Sequence, residues 1–261
     1  MHRRQFTTLS ITALLPQLAA AYEPSSVVDA TPGTLPLLLT VPHDGADFLG
    51  LFPHRTKGTT VRDAGTRELA ERVAKLLQQK LGNRPYLVIA KFSRKHLDAN
   101  RAEADAMESG EMMPAYRAYH DQVAAYVAQI RSKFPSGSLL IDVHGQSDEP
   151  NITFRGTRAG LTVKTLLSRF GPSAVQGPDS LIGQLAAKGY RINPALDADS
   201  LREDSRFSGG YTVFRYGSHR PDGIDAIQLE FGKQHRGNPR LPEDFAAAIA
   251  SFMRAFDLVA K

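Results

Sequence analysis

The sequence predicts an α/β fold: three layers, with a mostly parallel central sheet flanked by helices. Three observations carry this. Short continuous apolar runs, Leu35–Val41 (LPLLLTV), Tyr86–Ala90 (YLVIA) and Ser138–Val143 (SLLIDV), suit strands buried on both faces. Segments with apolar residues at three- and four-residue steps lie between and after them, as amphipathic helices require. Strands that alternate with helices favour parallel pairing through crossovers.

Taken in order, Tyr22–Thr34 is rich in Pro, Ser and Gly and reads as a linker. Leu35–Val41 is the first strand, ended by Pro42, and Asp44–Thr60 reads as a loop. Asp63–Leu81 is helical through Leu69, Val73, Leu76 and Leu77, with Gly82-Asn83 as its stop. Tyr86–Ala90 is the second strand. Met112–Phe134 is a long helix carrying Tyr116, Tyr119, Val123, Tyr126, Val127 and Ile130 on one face, with Pro135 just beyond. Ser138–Val143 is the third strand, and Ala159–Phe170 and Ser180–Lys188 are helical. Tyr211–Tyr216 and Ile224–Phe231 are expected as strands, and Pro242–Val259 as a closing amphipathic helix. No composition break divides residues 35–261, so they are expected to form one domain.

Composition narrows the chemistry. The chain of 261 residues has no cysteine, which excludes disulfides, thiolate metal sites, iron–sulfur clusters and a cysteine nucleophile. The net charge of +5 comes from 32 basic and 27 acidic residues without a long basic run, so no nucleic-acid partner is expected. Met1–Ala21 has a basic start (Arg3, Arg4), a modest apolar stretch (Ile11–Leu18) and small residues at Ala19–Ala21. This is the layout of a signal peptide. The RRQF sequence suits the twin-arginine route, with export to the periplasm or medium. No other stretch suits a membrane span, so no stable membrane anchor is expected.

Polar residues cluster at four strand ends, where open α/β sheets place their ligand sites. In Val41-Pro42-His43-Asp44-Gly45, a histidine follows an apolar strand. Alone it reads as an exposed turn. In Ile141-Asp142-Val143-His144-Gly145, Asp142 and His144 share one strand face. His43 and His144 together suggest a pair of imidazole ligands for one zinc ion completed by a carboxylate, since no thiolate is available. Asp142 suits either that set or the role of orienting a ligand. In Phe92–Arg101 (FSRKHLDANR), Arg94 and its charged neighbours suggest recognition of a carboxylate, or a local Arg94–Asp98 ion pair. In Ala226–Gly232 (AIQLEFG), Gln228 and Glu230 share a face, so Glu230 suits either a general base or an exposed edge strand.

The motifs VPHDG, SRKHLDANR, DVHG and IQLEFG, in this order, resemble those of the N-formylglutamate amidohydrolase family, and Val61–Ala70 resembles its Asp-containing helix entry. The resemblance spans roughly residues 35–235. It implies a fold like that of zinc carboxypeptidases and a zinc-dependent amidohydrolase acting on an N-acylated amino acid with a free carboxylate, such as N-formylglutamate. It also implies metal binding by His43 and His144, a substrate carboxylate held by Asn100 and Arg101, and catalysis by Glu230. Zinc carboxypeptidases place a Glu three residues after the first His, where this chain has Ala46. The third ligand is therefore assigned to Asp63, with Asp47 and Glu68 as alternatives and an N-cap as Asp63's other role. Arg215 is a further candidate carboxylate anchor. The Gly232–Arg236 stretch departs from the family's aromatic-rich pattern. The export signal keeps open a zinc carboxypeptidase or amidase acting on peptides or cell-wall fragments. A non-catalytic periplasmic binding protein for acidic ligands is the alternative of a different class.

Overall fold

The computed structural model describes residues 24–46, 52–198 and 200–259. The signal-like Met1–Ala21 and the alternative ligand Asp47 lie outside the described residues. Seven strands form one mixed sheet in the order β1-β3-β2-β4-β7-β5-β6. They are β1 (Val28–Thr31), β2 (Leu37–Val41), β3 (Tyr86–Ala90), β4 (Leu139–Gln146), β5 (Thr153–Gly156), β6 (Ile192–Asn193) and β7 (Asp225–Gly232). The central four, β3-β2-β4-β7, are parallel, whereas β1 and β5 run antiparallel to their neighbours β3 and β7. The parallel core explains the uninterrupted apolar runs: β2 and β3 are buried at every position.

The pleat sends alternate residues to opposite layers. On one face, Leu37, Leu39, Val41, Ile141, Val143, Leu229 and Phe231 pack against the helices Thr66–Leu81 and Leu241–Ala255. On the other, Leu38, Val88, Leu140 and Ala226 pack against the helix Met113–Lys133 through Tyr116, Tyr119, Val123 and Val127. This second face changes character along the strands. Leu38, Leu140 and Ala226 form an apolar row, Thr40, Asp142 and Gln228 form the next, and His144 beside Glu230 ends it at the carboxyl edge. One face of one sheet thus supplies both core and chemistry.

Two expectations are corrected. Part of the expected linker is edge strand β1, paired with β3 from Val28↔Ala90 to Thr31↔Leu87. A four-residue, half-exposed strand next to Pro32-Gly33 gives almost no periodic signal. Tyr211–Tyr216, expected as a strand from its aromatic and β-branched residues, is a short helix. Its first turn is anchored by Asn100, whose backbone oxygen accepts from Tyr211 N and whose Oδ1 accepts from Thr212 N. A tertiary contact thus overrides local strand preference. Among the described residues, no helix is long and apolar enough to cross a membrane.

Candidate functional site

Crossover topology brings the carboxyl ends of β2, β4 and β7 side by side, with the loop after β3 folded across them. His43 stands two residues beyond β2, in a turn that Gly45 permits. A Cβ at Gly45 would fall 2.0 Å from the Phe92 carbonyl oxygen, so only glycine lets this turn lie on the extension of β3. The close approach is thus to protein backbone.

His43 and His144 are both almost fully buried. His43 Nε2 meets Asp98 Oδ1 at 2.6 Å, and His144 Nε2 meets Asp142 Oδ2 at 2.8 Å. With both Nε2 atoms held by carboxylates, both Nδ1 atoms turn inward. They stand 3.0 Å apart, and Asp63 Oδ2 lies 3.4 Å from His43 Nδ1 and 3.2 Å from His144 Nδ1. Nitrogen and oxygen ligands on a tetrahedral zinc ion are about 3.3–3.5 Å from one another, given bonds of about 2.0–2.2 Å. At 3.0, 3.2 and 3.4 Å the three atoms come within about 0.3 Å of the spacing of three tetrahedral corners, and the carboxylate-backed imidazoles are the usual support of such ligands. Among the described residues these three form a group that could hold a metal ion.

Asp63 is locked by the backbone around it. Its N–H donates to the His43 carbonyl, and its Oδ2 accepts from Gly145 N. It is not the helix N-cap. That position belongs to Gly65, and the helix amide of Arg67 is taken by Asp44 Oδ2 at 2.7 Å. Glu68, the other described alternative, is exposed on the helix.

The electrostatics gather acidic groups around one imidazole. Asp63, Asp142 and Glu230 surround His144. Burial opposes the imidazolium, yet the charges of Asp142 and Glu230 hold the His144 pKa well above its ordinary value. Burial would raise Asp63, but hydrogen bonds from His144 and His43 carry its carboxyl well below the usual range. Asp98 is lowered in the same way against burial, by His43 and then Arg94. Glu230 differs: burial raises its carboxyl above the ordinary value, with His144 pulling the other way. Its Oε1 lies 4.0 Å from His144 Nδ1 and accepts from Gln228 Nε2 at 2.9 Å. Gln228 is itself oriented, because its Oε1 accepts from Gly210 N at 2.7 Å and Asn100 Nδ2 at 3.3 Å. A carboxylate with raised proton affinity, beside the metal-type cluster, is the arrangement a general base needs.

These groups line a cavity of about 840 Å³ that Arg94, Asn100 and Arg101 also border. Arg94 is tied to Asp98 at 3.0 Å and approaches Asp63 at 3.6 Å, so the local ion pair is present. Asn100 is buried and its amide is engaged by Gln228 and Thr212. Arg101 is half exposed, with Asp98 3.8 Å away. Arg215 is not brought to the site. It pairs with Asp222 at 3.0 Å and does not line the cavity, because its segment is helical and turns it away. Asp98 and Gln228 hold positions that sequence reasoning did not assign. Their membership in the SRKHLDANR and IQLEFG motifs was the available signal.

Comparisons with known proteins bear on the fold and on the class of reaction. The family model described as N-formylglutamate amidohydrolase matches residues 111–235, which include His144 and Glu230. No curated protein matches the chain. Among solved structures, an N-formylglutamate amidohydrolase from Ralstonia eutropha JMP134 is similar at a TM-score of 0.59 and 16% identity, over 90% of this chain and 98% of that one. A gene product from Agrobacterium tumefaciens is similar at 0.58 and 16% identity, over 88% and 94%. The structural likeness supports the fold, and the family match supports a hydrolase acting on amide bonds.

Proposed function

The chain resembles the N-formylglutamate amidohydrolase family in sequence over residues 111–235 and in fold over nearly its whole length, and from this we propose that it is a zinc-dependent amidohydrolase. Its substrate in this reading is an N-acylated amino acid with a free carboxylate, such as N-formylglutamate. The observation that carries the proposal is the convergence of His43 Nδ1, His144 Nδ1 and Asp63 Oδ2 beside Glu230.

The three ligands would hold one divalent ion, which supplies Lewis acidity towards the amide carbonyl and lowers the pKa of water. Glu230 takes the proton of the attacking water and returns a proton to the leaving nitrogen. Gln228 fixes the Glu230 carboxylate through its single amide orientation. Asp98 and Asp142 keep the two imidazoles in the tautomer that presents Nδ1. Arg101, next to Asn100, meets the substrate carboxylate and orients the scissile amide. The Arg3-Arg4 segment supports export by the twin-arginine route, and a reporter fused to Met1–Ala21 tests that part.

A second reading is favoured by the size of the cavity. About 840 Å³ falls in the range that takes drug-sized ligands, so a peptide or cell-wall fragment also fits. One panel separates the two. Formyl-, acetyl- and peptidyl-glutamates are assayed with and without a chelator. Chelator-sensitive release of formate or acetate supports the first reading, and turnover of peptidyl substrates alone supports the second. A metal-free folded protein that turns over none of them would favour a binding module.

A further inference from the structure

Six arginines line the cavity: Arg62, Arg94, Arg101, Arg158, Arg206 and Arg236. Most are occupied by the protein. Arg62 meets Asp44 at 2.6 Å, Arg94 meets Asp98 at 3.0 Å, and Arg206 meets Asp204 at 2.7 Å. Arg236 donates to the carbonyls of Ala64 and Gln146. Arg101 has Asp98 at 3.8 Å. Among the described residues, the Arg158 guanidinium has no carboxylate or carbonyl partner. It lies over the Phe214 ring, 4.4 Å from its centroid, as an exposed residue on the cavity lining.

The backbone around Arg158 is held in a costly conformation. Arg158 and Ala159 are consecutive non-glycine residues in the left-handed region, at φ 50° and 54°. Buried Glu203 maintains it. One carboxylate oxygen accepts from Thr157 N and Thr157 Oγ1, and the other accepts from Ala159 N. Arg155, also buried, is paired with Glu203 at 3.2 Å, and Arg158 N donates to Ser208 O at 2.7 Å. An ion pair is thus spent on a turn whose product is one unpaired guanidinium facing the candidate active site. Partial burial lowers the Arg158 pKa, and no acid counters it.

We propose that Arg158 binds the side-chain carboxylate of an N-acylated acidic amino acid, so that the enzyme selects acidic over isosteric neutral substrates. The inference rests on the amidohydrolase reading and deepens it, because Arg101 accounts for one carboxylate and Arg158 for a second.

The test compares N-formyl-L-glutamate with N-formyl-L-glutamine in zinc-supplemented wild type, Arg158→Lys and Arg158→Ala. Melting curves confirm folding of each variant. Calorimetric binding of L-glutamate and L-glutamine supplies a readout independent of turnover. The wild type is expected to prefer the acid by about 100-fold in kcat/KM, as loss of a charge-assisted pair implies. Arg158→Ala should bring the ratio near one, chiefly through KM for the acid, and Arg158→Lys should keep part of it. An equal fall for both substrates, or an unchanged ratio, overturns the proposal. If the wild type hydrolyses neither, the amidohydrolase reading fails. Calorimetry then decides Arg158: a glutamate preference lost in Arg158→Ala supports it, and equal binding of both ligands by the wild type overturns it.

Discussion

His43 and His144 point their Nδ1 atoms at each other across 3.0 Å, each with its Nε2 held by a buried aspartate. Two nitrogens at that distance share one proton or one metal ion. The adjacent Asp63 carboxylate favours the metal, and the purified protein is expected to bind one zinc ion per chain. Chelation should abolish turnover, and readdition of zinc should restore it. His144→Ala should lose the ion. Zinc content of that variant near the wild-type value, measured by elemental analysis, would contradict the ligand assignment.

Glu230 should be separable from the metal. Glu230→Gln keeps the hydrogen-bonding shape beside Gln228 but removes the base. Zinc content is expected to stay unchanged while kcat falls by about 10²–10⁴-fold. Near-normal turnover would remove Glu230 from the mechanism.

Asp98 touches no substrate in this reading, and its effect should run through His43. Asp98→Asn replaces a short contact to His43 Nε2 with an amide whose oxygen can still accept, but without the charge. Zinc affinity is expected to weaken about 10–100-fold, read by competition with a chromogenic chelator. Turnover at saturating zinc should recover in part. Wild-type affinity would count against the orienting role.

Arg101 and Arg215 make a matched pair. Arg101→Ala should raise KM by about 10-fold or more, as a lost carboxylate contact implies. Arg215→Ala should leave both kcat and KM within about twofold, because Arg215 pairs with Asp222 away from the cavity. A large KM effect at Arg215 would mean that the substrate reaches beyond the cavity described.

His120 gives a pH dependence of stability. It is buried between Ala99 O and Tyr216, and burial lowers its pKa from 6.5 to about 4. Between those values the unfolded chain binds the proton and the folded chain does not. Its contribution is therefore fully present above the unfolded value and is lost as pH falls from about 6.5 towards 4, with a slope of at most about 1.4 kcal/mol per pH unit. In urea unfolding across pH 4.5–7.5, His120→Gln should show a shallower acid-side slope than the wild type. Parallel slopes would refute this.

Within the described residues, the legible part of this protein was the part that local pattern encodes. Leu37–Val41, Tyr86–Ala90 and Leu139–Val143 announce themselves because burial on both sheet faces demands mostly apolar residues. Met113–Lys133 does so because one helical face must cover the sheet. His43, His144 and Glu230 stood out because polar residues at the ends of such strands have no packing purpose. Edge strand β1 and the helix Tyr211–Tyr216 were not legible, since pairing with β3 and hydrogen bonds donated to Asn100 decide them.

The sequence by itself determined the layered α/β architecture and the strand ends that carry chemistry. Only the tertiary structure decided which atoms meet. Parallel register sets His144 beside Glu230, Asp63 arrives from a loop to close the cluster, and Arg158 rather than Arg215 faces the cavity unpaired. The physical reason is range. Periodicity reflects burial averaged along a few turns or pleats, whereas a ligand set depends on contacts between segments up to about a hundred residues apart, such as His43 and His144 at a separation of 101.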